Sequence, residues 1–420
     1  MSIHAYKDSE VGKIPFEWSV KQIGKIGYTY SGLTGKEKND FGKGNARYIT
    51  FLNVLNNPVL RTNIFERVSV SDGEHQNLAL KGDLFFNTSS ETPEEVGICA
   101  LLDDDVPNLY LNSFCFGYRL TDPEVDGLFL SYFFRSKAGR DIMTMLAQGA
   151  TRYNLSKESF NKTLIAFPPF EEQKKIAEAL SGIDDMLGAL DVAIAKKRQI
   201  KEGLMQQLLT GKTRLPGFCG EWLPKNLGKS ALIKARIGWQ GLTTKEYLDS
   251  GVYYLITGTD FKDGRIDWKN CHYVTRDRFE QDPYIKIQKH DVLVSKDGTI
   301  GKVAYLDDIP GPGTLNSGVF VIRSKDKQIS QRYLAKVFVS KYFDDFIDSI
   351  VAGSTIVHLY QKDIVKFDFM VPPSIEEQEQ VCDFLEGVDN EIICLESKRD
   401  KYASLKQGMM QELLTGKTRL

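Results

Sequence analysis

The sequence predicts an α/β protein of the α+β type: two globular domains related by an approximate twofold axis and separated by two long antiparallel helices. Three observations predict it. The octapeptide Leu208-Leu-Thr-Gly-Lys-Thr-Arg-Leu215 returns unchanged as Leu413-Leu-Thr-Gly-Lys-Thr-Arg-Leu420, 205 residues later in a 420-residue chain, and a duplicated unit dictates architecture. Apolar residues upstream of each octapeptide recur at alternating steps of four and three, the spacing of a coiled-coil seam. The segments between carry short β-rich runs bounded by Gly, Asp and Asn, with helical patterns after them.

The repeat is strong only in part. Over the 45 positions from Glu171 to Leu215, 20 are identical to those from Glu376 to Leu420. Glu171-Glu-Gln173 matches Glu376-Glu-Gln378, and each is preceded by a diproline, Pro168-Pro169 and Pro372-Pro373. Elsewhere only markers survive. Glu17-Trp18 with Gly24-Lys25 matches Glu221-Trp222 with Gly228-Lys229, Leu111-Asn-Ser113 matches Leu315-Asn-Ser317, and Gly149-Ala-Thr151 matches Gly353-Ser-Thr355. The chain therefore divides into a first globular domain, 1–166, a first helix, 167–215, a second globular domain, 216–370, and a second helix, 371–420.

In the first helix the seam is Ile176, Leu180, Ile183, Leu187, Leu190 and Ile194; in the second it is Val381, Leu385, Val388, Ile392 and Leu395. Both seams then slip, through Lys197 and Tyr402, to Ile200, Leu204 and Leu208 and to Leu405, Met409 and Leu413. Diproline followed by carboxylates suits a helix start, and Thr-Gly followed by Lys and Arg suits a stop. A continuous helix over Glu171–Leu209 would be roughly 58 Å long at 1.5 Å per residue. Helices this long with so narrow a seam need a partner, and chain order makes the pair antiparallel.

The globular segments are mixed. Strands are expected over Ala46–Leu52, Asp83–Phe86, Asp291–Val294 and Val319–Ile322, and helices near Leu128–Met145 and Ser330–Ile350. Basic, amide and aromatic residues gather in corresponding stretches: Lys36, Lys38, Lys43, Asn45 and Arg47 against Lys234, Arg236, Trp239, Gln240 and Lys245. Asn87-Thr-Ser-Ser90, holding Ser89, stands against Ser295-Lys-Asp-Gly298, holding Lys296; Arg152-Tyr-Asn154 stands against Ile356-Val-His358 with Tyr360 to Lys362. Such side chains are what base edges and phosphates require. Taken singly, each stretch could equally be a solvated loop; recurrence in both halves makes them candidate DNA contacts.

Composition bounds the reading. At 42% hydrophobic there is material for two cores, and a net charge of −2 means that any surface for nucleic acid must be local. The six cysteines show no close pair at metal-ligand spacing. Without a secretory signal, this points to a reducing cytosol and a cytoplasmic protein. No apolar run is long enough to span a membrane. Gly211-Lys-Thr213 lacks the leading glycine of a phosphate loop and ends a helix, so it is rejected. Glu172-Gln-Lys174 becomes Glu377-Gln-Glu379 in the copy, which removes a nuclease reading. Phe167-Pro-Pro-Phe170 lacks the Asn of the adenine-methyltransferase motif, and Phe41-Gly-Lys-Gly44 has the wrong spacing for a cofactor loop. The histidines, His4, His75, His272, His290 and His358, form no constellation. No catalytic residue, metal ligand or cofactor site is expected in this chain.

Pro-Pro-x-Glu-Glu-Gln, with one residue more before the acidic pair in the second copy, leading into a long helix that ends Leu-Leu-Thr-Gly, twice, with divergent domains between, resembles the specificity subunit of type I restriction–modification enzymes over the whole chain. The Trp18 and Trp222 elements fit the start of each target recognition domain. The resemblance implies a DNA-binding, non-catalytic subunit whose two recognition domains each read half of a bipartite duplex site. It implies helices that set the gap and carry two methylation subunits, with motor-nuclease subunits joining them. S-adenosylmethionine, ATP and Mg would then be used by those partners. Two readers on one face of B-DNA would sit about one turn, roughly 34–36 Å, apart; this is shorter than the helix, so the reading surfaces would lean inward. A paired-domain scaffold that binds protein is the rival, and a steep fall of DNA affinity with salt separates the two. A self-sufficient nuclease or methyltransferase is disfavoured by the missing motifs.

Overall fold

The computed structural model describes residues 5–71, 73–262, 264–351 and 358–420. Its two compact units are Met1–Asp191 with Ser397–Leu420, and Val192–Glu396. In the first unit, strands β1 (Gly27–Ser31), β2 (Leu84–Asn87), β3 (Cys99–Leu101) and β4 (Cys115–Leu120) form an antiparallel sheet in the order β1-β4-β2-β3. In the second, β5 (Ala231–Lys234), β6 (Val292–Ser295), β7 (Val303–Tyr305) and β8 (Val319–Ser324) run in the order β5-β8-β6-β7, the same topology. The duplication thus survives in strand order where the residues have diverged.

A second sheet also repeats. Phe41–Ile49 lies between Leu109–Leu111, parallel, and Glu66–Val68, antiparallel. Tyr253–Ile256 lies between Gly313–Leu315, parallel, and His272–Val274, antiparallel. Packing of the second sheet on one face and of helices on the other explains the unbroken apolar runs. Leu84 and Phe86 enter one core while Phe85 enters another; Val292 and Val294 face one way and Leu293 the other. A strand buried on both faces needs no polar alternation. In the first unit Phe160 packs against Phe86, Phe116, Tyr118 and Phe134, with ring centroids 4.8 to 5.9 Å apart.

Three expected elements differ. The run Ala46–Leu52 is strand only to Ile49, because the Thr50 hydroxyl accepts from the Asn53 amide at 3.3 Å and starts a helix over Phe51–Asn56. Each expected helix after the sheet is two helices, Gly127–Arg135 and Lys137–Leu146, then Gln331–Phe338 and Lys341–Val351. A buried serine sits at each break: Ser136 and Ser340 turn their hydroxyls back to the carbonyls of Phe133 and Val337, at 2.7 and 2.6 Å.

A two-stranded clasp, Ser19–Gln22 with Leu164–Phe167 and Leu223–Asn226 with Asp368–Val371, joins the ends of each globular segment and leads into a long helix. The helices are Phe170–Leu208 and Ile375–Leu413, of 39 residues each. The extra residue in the second copy, Ser374, caps its helix by accepting from the Glu377 amide at 3.0 Å. Among the described residues no helix is long and apolar enough to cross a membrane.

Within each unit the opening half of one long helix meets the closing half of the other. In the first, Ile176, Ala177 and Leu180 share a core with Leu413 and Leu414, and Lys406 pairs with Asp184 at 2.6 Å. In the second, Val381, Cys382 and Leu385 share a core with Met205, Leu208 and Leu209, and Lys201 pairs with Asp389 at 2.5 Å. The pairing is antiparallel. Leu190, Ile194, Val388 and Ile392 are buried as well, while Ile183, Leu187 and Leu395 are half-buried. The expected continuation fails at Ile200 and Leu405, which are 43% and 49% exposed. The last turns of each helix pack onto a globular core, so the buried stripe passes through Met205 and Leu209 in one and Leu413 and Leu414 in the other.

The repeated motifs are two halves of one clamp. Arg419 forms a two-pronged ion pair with buried Glu172 and adds a bond to Glu17 at 2.7 Å. Arg214 does the same to buried Glu377, at 2.5 and 2.9 Å. The Gln173 amide donates to the carbonyls of Glu124 and Pro168 and accepts from the Asp126 amide. Gln378 repeats this with Gln328, Pro372 and Ser330. Gly211 and Gly416 both hold φ of +72°, and a β-carbon there would press on Trp222 or on Pro15 and Trp18. The octapeptide is therefore a helix stop that locks each unit around its tryptophan.

Candidate nucleic-acid interface

In the first unit, two of the expected cations are presented on an irregular strand and a third in the turn before it. The register of Phe41–Ile49 shifts between Phe41 and Ala46. Gly44, at φ +111°, lies so close to the Ser69 backbone that a β-carbon would be 2.5 Å from it. A bulge of this kind re-aims side chains. Lys43 and Arg47 on this strand and Lys38 in the turn before it are exposed, with no carboxylate at ion-pair distance among the described residues. Two neighbours serve the fold instead. The Lys36 ammonium is nearly buried and bound to Glu74 at 2.6 Å, and this bond holds the Glu74 carboxyl down at about 2. Asn45 exchanges two bonds with the Val70 backbone, at 3.0 and 3.1 Å.

Long-range pairing brings the other candidates together. Ser89 and Ser90 pair with Asn154 and Tyr153 in a small antiparallel sheet, next to exposed Arg152. Beside them opens a cavity of about 450 Å³ lined by Ser31, Thr34, Lys36, Phe41, Thr88 and Lys157, among others. Of these the sequence reading did not single out Ser31, Thr34 or Lys157. No local pattern marks them, because the cavity forms only when four chain-distant segments meet. Burial pushes the Lys157 ammonium below the usual lysine value.

The second unit repeats the junction with different residues. Asp297 bridges to His358 and the Leu359 amide donates to the Lys296 carbonyl at 2.9 Å, setting Lys296 beside His358. The His358 ring forms an ion pair with Asp297 when protonated. Lys362 is exposed and lies over the Tyr360 ring at 5.3 Å; half-buried Lys234 lies over the Tyr284 ring at 5.2 Å. Lys245 is exposed in a short turn and Gln240 is half-buried. Arg236 is a correction. It is 2% exposed, and its guanidinium donates to the Leu315 carbonyl at 2.8 Å, to Thr314 at 3.0 Å and to Gln281 at 3.1 Å. Burial, then the charge of Arg278, lowers its pKa; it is a structural tie, unable to reach DNA. The side chain of Trp239 and the stretches Gly353–Thr355 and Ile356–Val357 lie outside the described residues.

Each unit thus offers cations with no carboxylate at ion-pair distance among the described residues, together with hydroxyls and amides, the side-chain set that positions a protein on a phosphate backbone. The chain matches the family described as type I restriction modification DNA specificity domain twice, over residues 15–200 and 240–405. It belongs to that family. It is a type I restriction–modification specificity subunit, of a family described by its DNA specificity. The putative type I restriction enzyme MjaX specificity subunit of Methanocaldococcus jannaschii is 23% identical over 426 residues, spanning 99% of this chain and 97% of the relative. The EcoBI specificity subunit of Escherichia coli is 25% identical over 261 residues, covering 54% of this chain and 52% of its own length. The fold is that of the S subunit from M. genitalium, with a TM-score of 0.55 at 16% identity, covering 94% of this specificity subunit and 96% of that one. A chain from a structural study of type I assembly and conformational transition gives a TM-score of 0.62 at 17% identity, over 96% and 99% of the two chains.

Proposed function

We propose that each unit reads one half of a bipartite duplex DNA site, and that the long helices set the gap and dock two methylation subunits. The observation that carries this reading is the repeated strand order, which bears unlike basic and polar residues in the two units. One unit offers Lys38, Lys43, Arg47, Ser89, Arg152 and Asn154; the other offers Lys234, Lys245, His358 and Lys362. One scaffold used twice with different side chains at the DNA would specify two different half-sites. In this reading motor-nuclease subunits join through the assembled complex, S-adenosylmethionine, ATP and Mg act in the partners, and the complex works in the cytoplasm.

Exchange of the segment Trp222–Phe369 for that of another specificity subunit tests it, read out by mapping methylated adenines in cells carrying the assembled system. One half-site is expected to change while the other half and the gap persist. Loss of both half-sites would overturn the idea of separate readers. Binding with little dependence on salt would point to a protein-binding scaffold instead, since phosphate contacts release counterions.

A further inference from the structure

We propose that Lys157 and Lys296 are equivalent phosphate contacts, one in each unit, each set over the same phenylalanine of the repeat. The inference rests on the reading of both units as DNA readers and adds which cations make the matched contact.

The ring is Phe116 in the first unit and Phe320 in the second. Both follow the shared Leu-Asn-Ser marker by the same interval, and both lie on the corresponding strand, β4 and β8. Over Phe116 stands the Lys157 ammonium, 6.0 Å from the ring centre; over Phe320 stands that of Lys296, at 5.3 Å. The two lysines come from different places in the chain. Lys157 opens the short helix Lys157–Lys162, after the strand Tyr153–Leu155. Lys296 directly follows β6, where the first unit has Thr88 directly after β2. Duplication therefore kept a positive charge over this ring while changing the residue that supplies it.

Packing alone is a poor reason for that. A cation over an aromatic face is a weak contact, and an ammonium drawn out of water without an anion loses hydration. Both lysines are half-buried, and neither has a carboxylate at ion-pair distance among the described residues. The Lys157 ammonium is steered by a single neutral partner, Ser31 Oγ at 2.9 Å, and it borders the cavity lined by Thr34, Thr88 and Ser113. A fixed, partly desolvated cation with neighbouring hydroxyls is complementary to a phosphate oxygen, and lysine serves phosphate as a point charge. Lys36, on the same cavity wall, is neutralised by Glu74, which leaves Lys157 to carry the charge there.

The test is DNA binding by the full-length chain in its assembled complex, over a range of salt, with Lys157→Met, Lys296→Met, the double variant and both Lys→Arg variants. Methionine keeps the apolar contact and removes the charge. Each single change is expected to flatten the slope of log affinity against log salt by about 0.9, which is about fivefold weaker binding at 0.15 M salt. The double variant is expected to lose about 1.8 of slope, the arginine variants to stay near wild type, and the recognised sequence and melting temperature to stay unchanged. An unaltered slope in both methionine variants, or weakening that follows a fall in melting temperature, would overturn the proposal. A changed sequence preference would also overturn it, because a phosphate contact carries no sequence information. Failure of the parent reading looks different: wild-type complex would then itself bind DNA without sequence preference or salt dependence.

Discussion

Replacement of Arg419 by alanine should destabilise the first unit far more than its place near the end of the sequence suggests. Arg419 is 12% exposed at the side chain and Glu172 only 6%, and two guanidinium nitrogens meet the two carboxylate oxygens. Removing one member of a buried pair costs about 3–5 kcal/mol, because the other charge stays buried and unpaired. Here one guanidinium nitrogen also reaches Glu17, which is 67% exposed, so part of the charge is already screened by water. That reduces the expected loss to about 2–3 kcal/mol. For a unit of roughly 200 residues this corresponds to a fall in melting temperature of about 4–12 °C. Arg419→Lys should lose around half as much, since lysine provides a point charge where the site takes a fork. The assay is thermal and urea unfolding of the full chain, with a double-mutant cycle against Glu172→Ala. Additive effects, or an Arg419→Ala variant melting within 1 °C of wild type, would refute the clamp.

The remaining predictions concern the cap, the core and acid response. Gly416→Ala places a β-carbon at φ +72° and 2.5 Å from Pro15; it should cost about 2–4 kcal/mol in urea unfolding, from strain and overpacking. Phe160→Ala removes the ring shared by four aromatic neighbours and should cost about 3–5 kcal/mol by the same measurement. Glu74 is held at about 2, first by the Lys36 ammonium and then by the Ser71 amide, against a usual glutamate value of 4.5. Its folded-state pKa is depressed, so its stabilising contribution is complete above about pH 4.5 and is lost as pH falls towards about 2. A carboxyl NMR titration of Glu74 with a midpoint near 4.5 would contradict this, as would an unchanged acid-unfolding profile for Glu74→Gln.

Much of this architecture is legible in the sequence because repetition exposes it. The Glu-Glu-Gln and Leu-Leu-Thr-Gly-Lys-Thr-Arg-Leu motifs are strongly alike because each must fit the other, through Arg214 with Glu377 and Arg419 with Glu172. Ile176, Leu180, Val381 and Leu385 follow from spacing alone, since a helix packed on a flat core buries one stripe. Ile200 and Leu405 do not, because the helix partner is replaced near each end by a globular core that no heptad records. Arg236 sits in a stretch of surface-type residues, yet three long-range acceptors bury it. Lys157 escaped notice for the converse reason: its position over Phe116 goes with a side-chain hydrogen bond to Ser31, 126 residues away, on the strand paired with Phe116.

The clamp also orders the birth of the molecule. Residues 192–396 form the second unit without help from outside that stretch, whereas the first unit needs both 1–191 and 397–420. One unit is nested inside the other along the chain. A ribosome therefore releases everything the second unit requires before the first can close, and the bond between Glu17 and Arg419 spans 402 residues. Closing a flexible loop of that length costs only about 0.6 kcal/mol more for each doubling, but the waiting time is real. At about 5–20 residues per second, the opening segment spends tens of seconds without its final helix. During that interval Ile176 and Leu180 lack the cover of Leu413 and Leu414, so the core of the first unit stays incomplete until residues 397–420 have been made.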